Sequence, residues 1–222
     1  MKTISVVTNA RLQSTRVPQK MIRTFADKSL LQVALEKLNE MDFFEHRYLA
    51  VAEEELMEYA KPFENVEVLK RKSEAVKQGV TPQHVTFGHY CEVPSDYIFV
   101  FNPCLPFITV DTIKKAFDYF QENDHPSYTS VVKTGDWIFD SEGDPVTNTN
   151  PQNLTTNKGV QFYKAAHAFH IVNKEFFCSK GYHWEFVKND PHMVKIPEEE
   201  CIDVDTEIEF ELAESLYLRR KS

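Results

Sequence analysis

The sequence predicts an α/β domain built on a mostly parallel sheet. Three observations carry that expectation. Short β-branched runs alternate with helix-period runs along the whole 222-residue chain. The hydrophobic fraction of 42%, with 17 Phe and 9 Tyr, is enough to fill a real core. The glycines number only six and no low-complexity or repeated segment interrupts the pattern, so one domain spans 1–222.

The elements follow in order. "ISVVTN" (4–9) is short, β-branched and bounded by a polar loop, and reads as a buried strand. Ser29 can cap a helix that starts at Leu30, with apolar positions 30, 31, 34, 35, 38 and 41 on one face. "RYLAVAE" (47–53) is a second strand, and Leu56, Met57, Ala60 and Phe63 mark a helix that stops near Pro62. "VEVL" (66–69) and "DYIFVFN" (96–102) are strands; the second ends at "NPCLP", where two prolines forbid helix. A helix from about Asp111 to Glu122 follows, then strands at 128–133, 165–172 and 193–197, and a last helix over 207–219. Between them, 134–165 is polar, turn-rich and aperiodic, which suits an arm or flap inserted in the domain.

Charge narrows the function. The net charge is −9, which argues against general nucleic-acid binding. No apolar run approaches the roughly 20 residues needed to span a bilayer. The N-terminus lacks the long apolar core of a signal peptide, so a cytoplasmic protein is expected. Cys91, Cys104, Cys178 and Cys201 form no C-x-x-C pair, and reduced thiols are the expectation.

Against this acidic background, "TNARLQSTRVPQKMIR" (8–23) holds Arg11, Arg16, Lys20 and Arg23, and the first acid of the chain is Asp27. Read alone, such a loop is as readily solvated surface. Its place after the first strand, where open α/β sheets bind ligands, points instead to a small polyanion. Arginine offers a planar fork of donors and lysine a compact charge, both suited to phosphates. Neither a Walker A loop nor G-x-G-x-x-G is present, so side chains rather than a glycine nest would hold the phosphates.

The second feature is "IDVDTEIEFELAE" (202–214). In an extended segment Asp203 and Asp205 share a face, with Cα atoms about 7 Å apart. Both carboxylates can reach one cation, and Mg²⁺ is the natural partner of paired carboxylates and phosphates. An acidic surface stretch is the plainer alternative. Thr206 with Glu209 forms a capping box that starts the last helix.

Together these motifs resemble the sugar-acid cytidylyltransferases, the CMP-sialic acid and nonulosonic acid synthetases and their relatives. The opening matches A-R-x-x-S-x-R-x-P-x-K-N at Ala10, Arg11, Ser14, Arg16, Pro18 and Lys20, and departs from it at Leu12, Gln13 and Met21. The family's I-D-I-D-T segment is matched by 202–206. "LKRKSEAVKQGVTPQHV" (69–85) resembles its cytosine-contacting stretch, with Arg71 and Thr81 on matching positions. The resemblance implies a Rossmann-like three-layer nucleotidyltransferase fold (glycosyltransferase-A-like), CTP as substrate, Mg²⁺ (or Mn²⁺) on Asp203 and Asp205, and a homodimer in which the 134–165 arm reaches over the partner. It also implies nucleotide contacts from Ala10, Arg11, Ser14, Arg16, Lys20, Arg71 and Thr81, with Arg11, Lys20, Asp203 and Asp205 as the catalytic set. The acceptor would be a small acid, met by Asn102, His167, His170 and Lys158. Here the departures concentrate: the family's Gln, Thr and Ser become Asn102, Cys104 and Leu105, its Arg becomes Ile108, and its Asn-Gly becomes Ala166-His167. A rebuilt acceptor pocket, or a homologue that binds CTP without turnover, are the alternatives this leaves.

Overall fold

The computed structural model describes residues 2–77, 81–147 and 162–221. Its strands are β1 (Ile4–Asn9), β2 (Thr24–Phe25), β3 (Lys28–Ser29), β4 (Arg47–Val51), β5 (Glu67–Lys70), β6 (Tyr97–Phe101), β7 (Tyr128–Thr134), β8 (Phe162–Asn173) and β9 (His192–Lys195). Its α-helices are α1 (Leu30–Glu40), α2 (Glu54–Glu58), α3 (Gln83–Thr86), α4 (Val110–Glu122), α5 (Lys174–Lys180) and α6 (Glu207–Lys221).

Seven strands form one sheet in the order β5-β4-β1-β6-β8-β7-β9. All pairings are parallel except those of β8, which runs against both neighbours. The chain leaves β1, builds outward through β4 and β5, then crosses back to lay β6 on the other side of β1. This reversal opens a crevice at the carboxyl ends of β1 and β6, where α/β sheets bind ligands.

Side-chain alternation divides the core in two. Ile4, Val6, Leu49, Val51, Phe99, Phe101, Phe169 and Ile171 face the layer of α1, α4 and α6 and form the larger core. Val7, Tyr48, Ala50, Ile98 and Val172 face the other way, onto Tyr90, Val93 and Phe177. On the larger side, Ser29 and Gln32 make the capping box that starts α1, and Thr109 caps α4. α5 is bounded by an Asn173 cap and by Gly181 at φ 82°, the left-handed stop that glycine tolerates; both signals are present in the sequence, yet the periodicity of so short a helix did not disclose it.

The smaller side corrects the expectation of four reduced thiols. Tyr90 and Phe177 pack with ring centroids 5.6 Å apart. That contact brings Cys91 and Cys178, 87 residues apart in sequence, to a Cα–Cα distance of 5.9 Å, and they form a disulfide. No local spacing could announce such a long-range pairing. Cys104 and Cys201 are free.

Strand ends differ from expectation by a few residues, most at β8, which begins at Phe162 rather than 165. Within the expected arm, Phe139 and Pro145 form an isolated bridge, and Trp137, Ile138, Phe139 and Val146 are exposed. Residues 148–161, including Lys158, lie outside the described residues. No described helix is long and apolar enough to cross a membrane.

Candidate active site

The basic loop leaves β1 at Asn9 and returns through the β2–β3 hairpin into α1. Val17 and Met21 drop into the larger core and pin it. Glu53 Oε1 accepts from Leu12 N at 3.0 Å, and Ser14 Oγ accepts from Val17 N at 3.2 Å. The Ser14 hydroxyl therefore shapes the turn from which Arg16 and Lys20 project. Arg23 turns away: it pairs with Glu207 at 2.6 Å and lies over the Phe210 ring at 4.4 Å. Of the four cations in the stretch, this one has a structural partner on α6.

The segment 202–206 crosses the same crevice from the far end of the chain. Val204 is fully buried, while Asp203 and Asp205 on either side of it are partly exposed. Val204 N donates to Cys104 O at 3.0 Å, which ties the segment to the loop after β6. Lys20 Nζ donates to Val204 O at 2.6 Å and lies 3.2 Å from Asp205 Oδ1. Arg16 Nη2 reaches the same carboxylate oxygen at 2.9 Å. Two motifs about 185 residues apart thus converge on one carboxylate.

The electrostatics of the two aspartates differ. Burial, followed by the nearby Asp205 charge, pushes Asp203 up to about 6. Its Oδ1 is buried without a hydrogen-bond partner. Burial pulls Lys20 down, but Cys104 and then Asp205 more than offset this and the net shift is upward. Burial also raises Cys104, which is then a neutral thiol at neutral pH. Asp205 is therefore the anion that holds the Lys20 ammonium.

This donor set fits Mg²⁺. A buried carboxylate oxygen lacks a partner, a second carboxylate stands beside it, and hard oxygen ligands are what Mg²⁺ takes. Among the described residues no group of three or more His, Cys, Asp or Glu could hold a metal. The remaining ligands would have to be water and substrate phosphate, as is usual for this ion.

Next to the basic loop lies a cavity of about 270 Å³ lined by Asn9, Ala10, Arg11, Arg71, Lys77, Thr81 and other residues of the same loops. Arg71 enters it from the end of β5. Its Nη1 donates to Ala10 O at 3.3 Å, and its Nη2 to Ala75 O at 3.0 Å and Thr86 O at 3.1 Å. The buried guanidinium thereby joins the end of the first strand to Ala75 and Thr86. Asn9, absent from the sequence-based candidates, stands in this wall. Its position just before Ala10-Arg11 was the available clue; its partners His89 and Tyr90 lie some 80 residues away and gave none.

On the other side of the crevice β8 bulges. The register with β7 shifts between Thr129 and Val131, and the Ser130 hydroxyl receives Ala168 N and Phe169 N at 2.9 and 3.1 Å. His167 sits on this bulge at φ 54°, a left-handed conformation that favours glycine. Asn102 Nδ2 donates to its carbonyl at 3.0 Å, and Asn102 Oδ1 accepts from Cys104 N at 2.9 Å. The rings of His167 and His170 are 5.6 Å apart, His170 Nδ1 lies 2.9 Å from Thr129 Oγ1, and Trp184 packs on His170 at 5.2 Å. Burial pushes His170 down to about 3, so it is neutral. Ile108 is fully buried in the larger core and contributes nothing to the opening.

The crevice thus has a cationic wall, a carboxylate pair, a small polar cavity and an imidazole-lined shoulder. Comparison with known proteins bears on what it does. A family model described as Cytidylyltransferase matches residues 6–220. No curated protein sequence matches the chain at a significant level. Among solved structures, the CMP:2-keto-3-deoxy-manno-octonic acid synthetase complexed with CTP superposes with a TM-score of 0.71 at 11% identity, over 99% of this chain and 100% of its own. The 4-diphosphocytidyl-2C-methyl-D-erythritol synthase from Anaerococcus prevotii gives 0.69 at 13% identity, over 99% of each chain. The bifunctional IspDF from Campylobacter jejuni gives 0.60 at 12% identity, over 92% of this chain and 52% of its own. At such identities these likenesses speak to the fold.

Proposed function

We propose, from the premise that this chain belongs to the cytidylyltransferase family, that it transfers CMP from CTP to an acidic sugar of the sialic or nonulosonic type, with release of pyrophosphate, for surface-glycan synthesis in the cytoplasm. The family establishes a CTP-dependent nucleotidyltransferase. The acceptor is our reading. The observation that carries the site assignment is the meeting of Arg16 and Lys20 with Asp205, beside the unpartnered Asp203 oxygen.

In this mechanism an acceptor hydroxyl attacks the α-phosphorus of CTP, its proton passes to solvent, and the bond to the pyrophosphate oxygen breaks. Arg11, Arg16 and Lys20 neutralise the triphosphate and the charge that develops on the leaving group. Ala10 and Ser14 belong to the same loop, Ser14 by shaping it. Arg71 and Thr81 hold the base. Asn102, His167 and His170 orient the acceptor, and His170, being neutral, can accept or donate a hydrogen bond without a charge of its own. When bound on Asp203 and Asp205, Mg²⁺ would supply charge neutralisation and a template for the phosphates. Positioning and electrostatics then account for catalysis, with no covalent intermediate required. Lys158, in the arm, is proposed as a contact to the partner's acceptor. The exposed Trp137, Ile138, Phe139 and Val146 support reading that arm as a dimerisation element.

A second reading keeps the reaction and changes the acceptor to a Kdo-like, phosphonate or other acid. Ile108 favours it, because the position of the family's Arg is apolar and buried. The test is pyrophosphate release with Mg²⁺ and each of the four nucleoside triphosphates, against sialic, legionaminic and pseudaminic acids and Kdo. Turnover with CTP and a nonulosonic acid supports the first reading. Turnover with Kdo alone supports the second. Tight CTP binding with no turnover on any of them would remove the sugar-acid acceptor from the proposal.

A further inference from the structure

We propose that Asn9 reads the pyrimidine edge of the nucleotide and that His89 and Tyr90 are its positioning residues. The inference rests on the reading that CTP occupies the cavity at the end of β1. Within residues 4–10 every side chain is buried except that of Asn9, which is partly open. It opens into the cavity of about 270 Å³ that Arg11, Arg71 and Thr81 also line.

The amide is held at both ends. Asn9 Nδ2 donates to the Tyr90 hydroxyl at 2.8 Å, and Asn9 Oδ1 accepts from His89 Nε2 at 2.8 Å. Neither partner can swing away. Tyr90 is fully buried between Phe87, at 5.3 Å, and Phe177, at 5.6 Å. His89 is buried against the Tyr90 ring at 4.7 Å. The next residue, Cys91, is bonded to Cys178 on α5. Burial, with the Arg71 charge behind it, keeps His89 neutral, so its single N–H is spent on Asn9 and its Nδ1 is left without a partner.

The consequence is directional. The second Nδ2 proton of Asn9 meets no acceptor among the described residues. Arg71 Nε, in the same wall, is likewise a buried donor without a partner. The cavity therefore presents the free Asn9 N–H as a donor whose orientation is set from behind, with the Arg71 guanidinium buried in the wall beside it. Cytosine offers adjacent acceptors at N3 and O2. Uracil carries a proton at N3, and a donor facing it leaves both groups unsatisfied. The arrangement selects cytosine by rejecting the N3–H of uracil, and the aim of the Asn9 amide depends on two residues that never touch the base.

Calorimetric titration of the full chain with CTP and with UTP tests this without any acceptor. Wild type should prefer CTP. Asn9→Asp replaces the donor by an acceptor, and the CTP-to-UTP affinity ratio should fall by about tenfold or more, the equivalent of one or two hydrogen bonds. Tyr90→Phe removes only a hydroxyl and should lower the ratio severalfold while the ring keeps its packing. Loss of both affinities in parallel, or an unchanged ratio in Asn9→Asp and Tyr90→Phe, overturns the proposal. Should Asn9→Asp not fold, the Tyr90→Phe ratio decides alone. Wild-type protein that binds neither nucleotide overturns the reading beneath the inference instead.

Discussion

The two faces of the sheet are built from different chemistry. The larger face, under α1, α4 and α6, is aliphatic and phenylalanine-rich: Leu30, Leu31, Leu35, Phe44, Phe99, Phe169 and Phe210 are all essentially buried there. It carries the basic loop, anchored by Val17 and Met21, and the 203–205 segment, anchored by Val204. The smaller face gathers Tyr90, His89, His170, His183, Trp184 and Phe177 beside Val7, Ala50, Val93, Ile98 and Val172 and adds a disulfide. The phosphate-handling groups thus stand on a core whose stability comes from area removed from water. The groups we assign to base and acceptor stand on a polar-aromatic layer, where each buried nitrogen has to find a partner or go without. His183 Nε2 and Trp184 Nε1 go without among the described residues. In our assignment the reaction and the choice of what it is applied to rest on separately built supports.

The comparison is tested most severely on the larger face. Asp205→Asn removes the charge that Arg16 and Lys20 share, and pyrophosphate release should drop by about two to three orders of magnitude. Val204 still anchors the segment, so circular dichroism and melting should stay near wild type. A variant that retained turnover would sever the link between this face and the chemistry.

On the smaller face the largest effect comes from the staple. Opening Cys91–Cys178, by reductant or by Cys178→Ser, should lower unfolding free energy by about 2–4 kcal/mol, since the bond closes a long loop of unfolded chain. Both cysteines are exposed, so reductant can reach them. CTP affinity should weaken with it, because Cys91 adjoins Tyr90. Denaturant titration with and without reductant measures the first effect and calorimetry the second. Equal CTP affinity in both states would show that the staple does not support the base-reading groups of the smaller face.

The imidazoles give a third test. Burial pushes His89 and His170 down to about 3 and His183 to about 4. Folded, they are neutral; unfolded, they take up protons below about 6.5. The unfolded chain therefore binds more protons through this window, and stability must fall as pH drops from about 6.5 toward 4. Each imidazole contributes about 1.4 kcal/mol per pH unit. His170→Gln should flatten the dependence of urea midpoint on pH by that share. An unaltered slope would place His170 in water rather than in the layer.

The smallest effect sharpens the boundary. His167 holds φ 54° with a Cβ, so His167→Gly should gain about 1 kcal/mol of stability by relieving the left-handed strain. The acceptor KM should rise while the CTP dissociation constant stays put. If CTP binding weakened equally, His167 would belong to the nucleotide side.

The alternation of strands and helices, the Ser29 start of α1 and the Asn102-Pro103 end of β6 were legible in order along the chain, because each is a local matter of period, capping or a missing N–H. So was the broad cytidylyltransferase family, though not its sugar-acid branch, since both motifs are contiguous strings that keep their spacing. What the string could not hold was any partner chosen by packing. Arg23 and Arg16 look alike in sequence, yet one is drawn onto Phe210 and Glu207 and the other onto Asp205. Four cysteines look equally reduced until Tyr90 and Phe177 bring two of them together. Asn9 looks like the last residue of a strand until His89 and Tyr90 are found behind it. Local chemistry is written in neighbouring residues and determined the elements and the reaction class. Burial and the direction of a buried hydrogen bond depend on residues tens of positions away, and only the tertiary structure decided them.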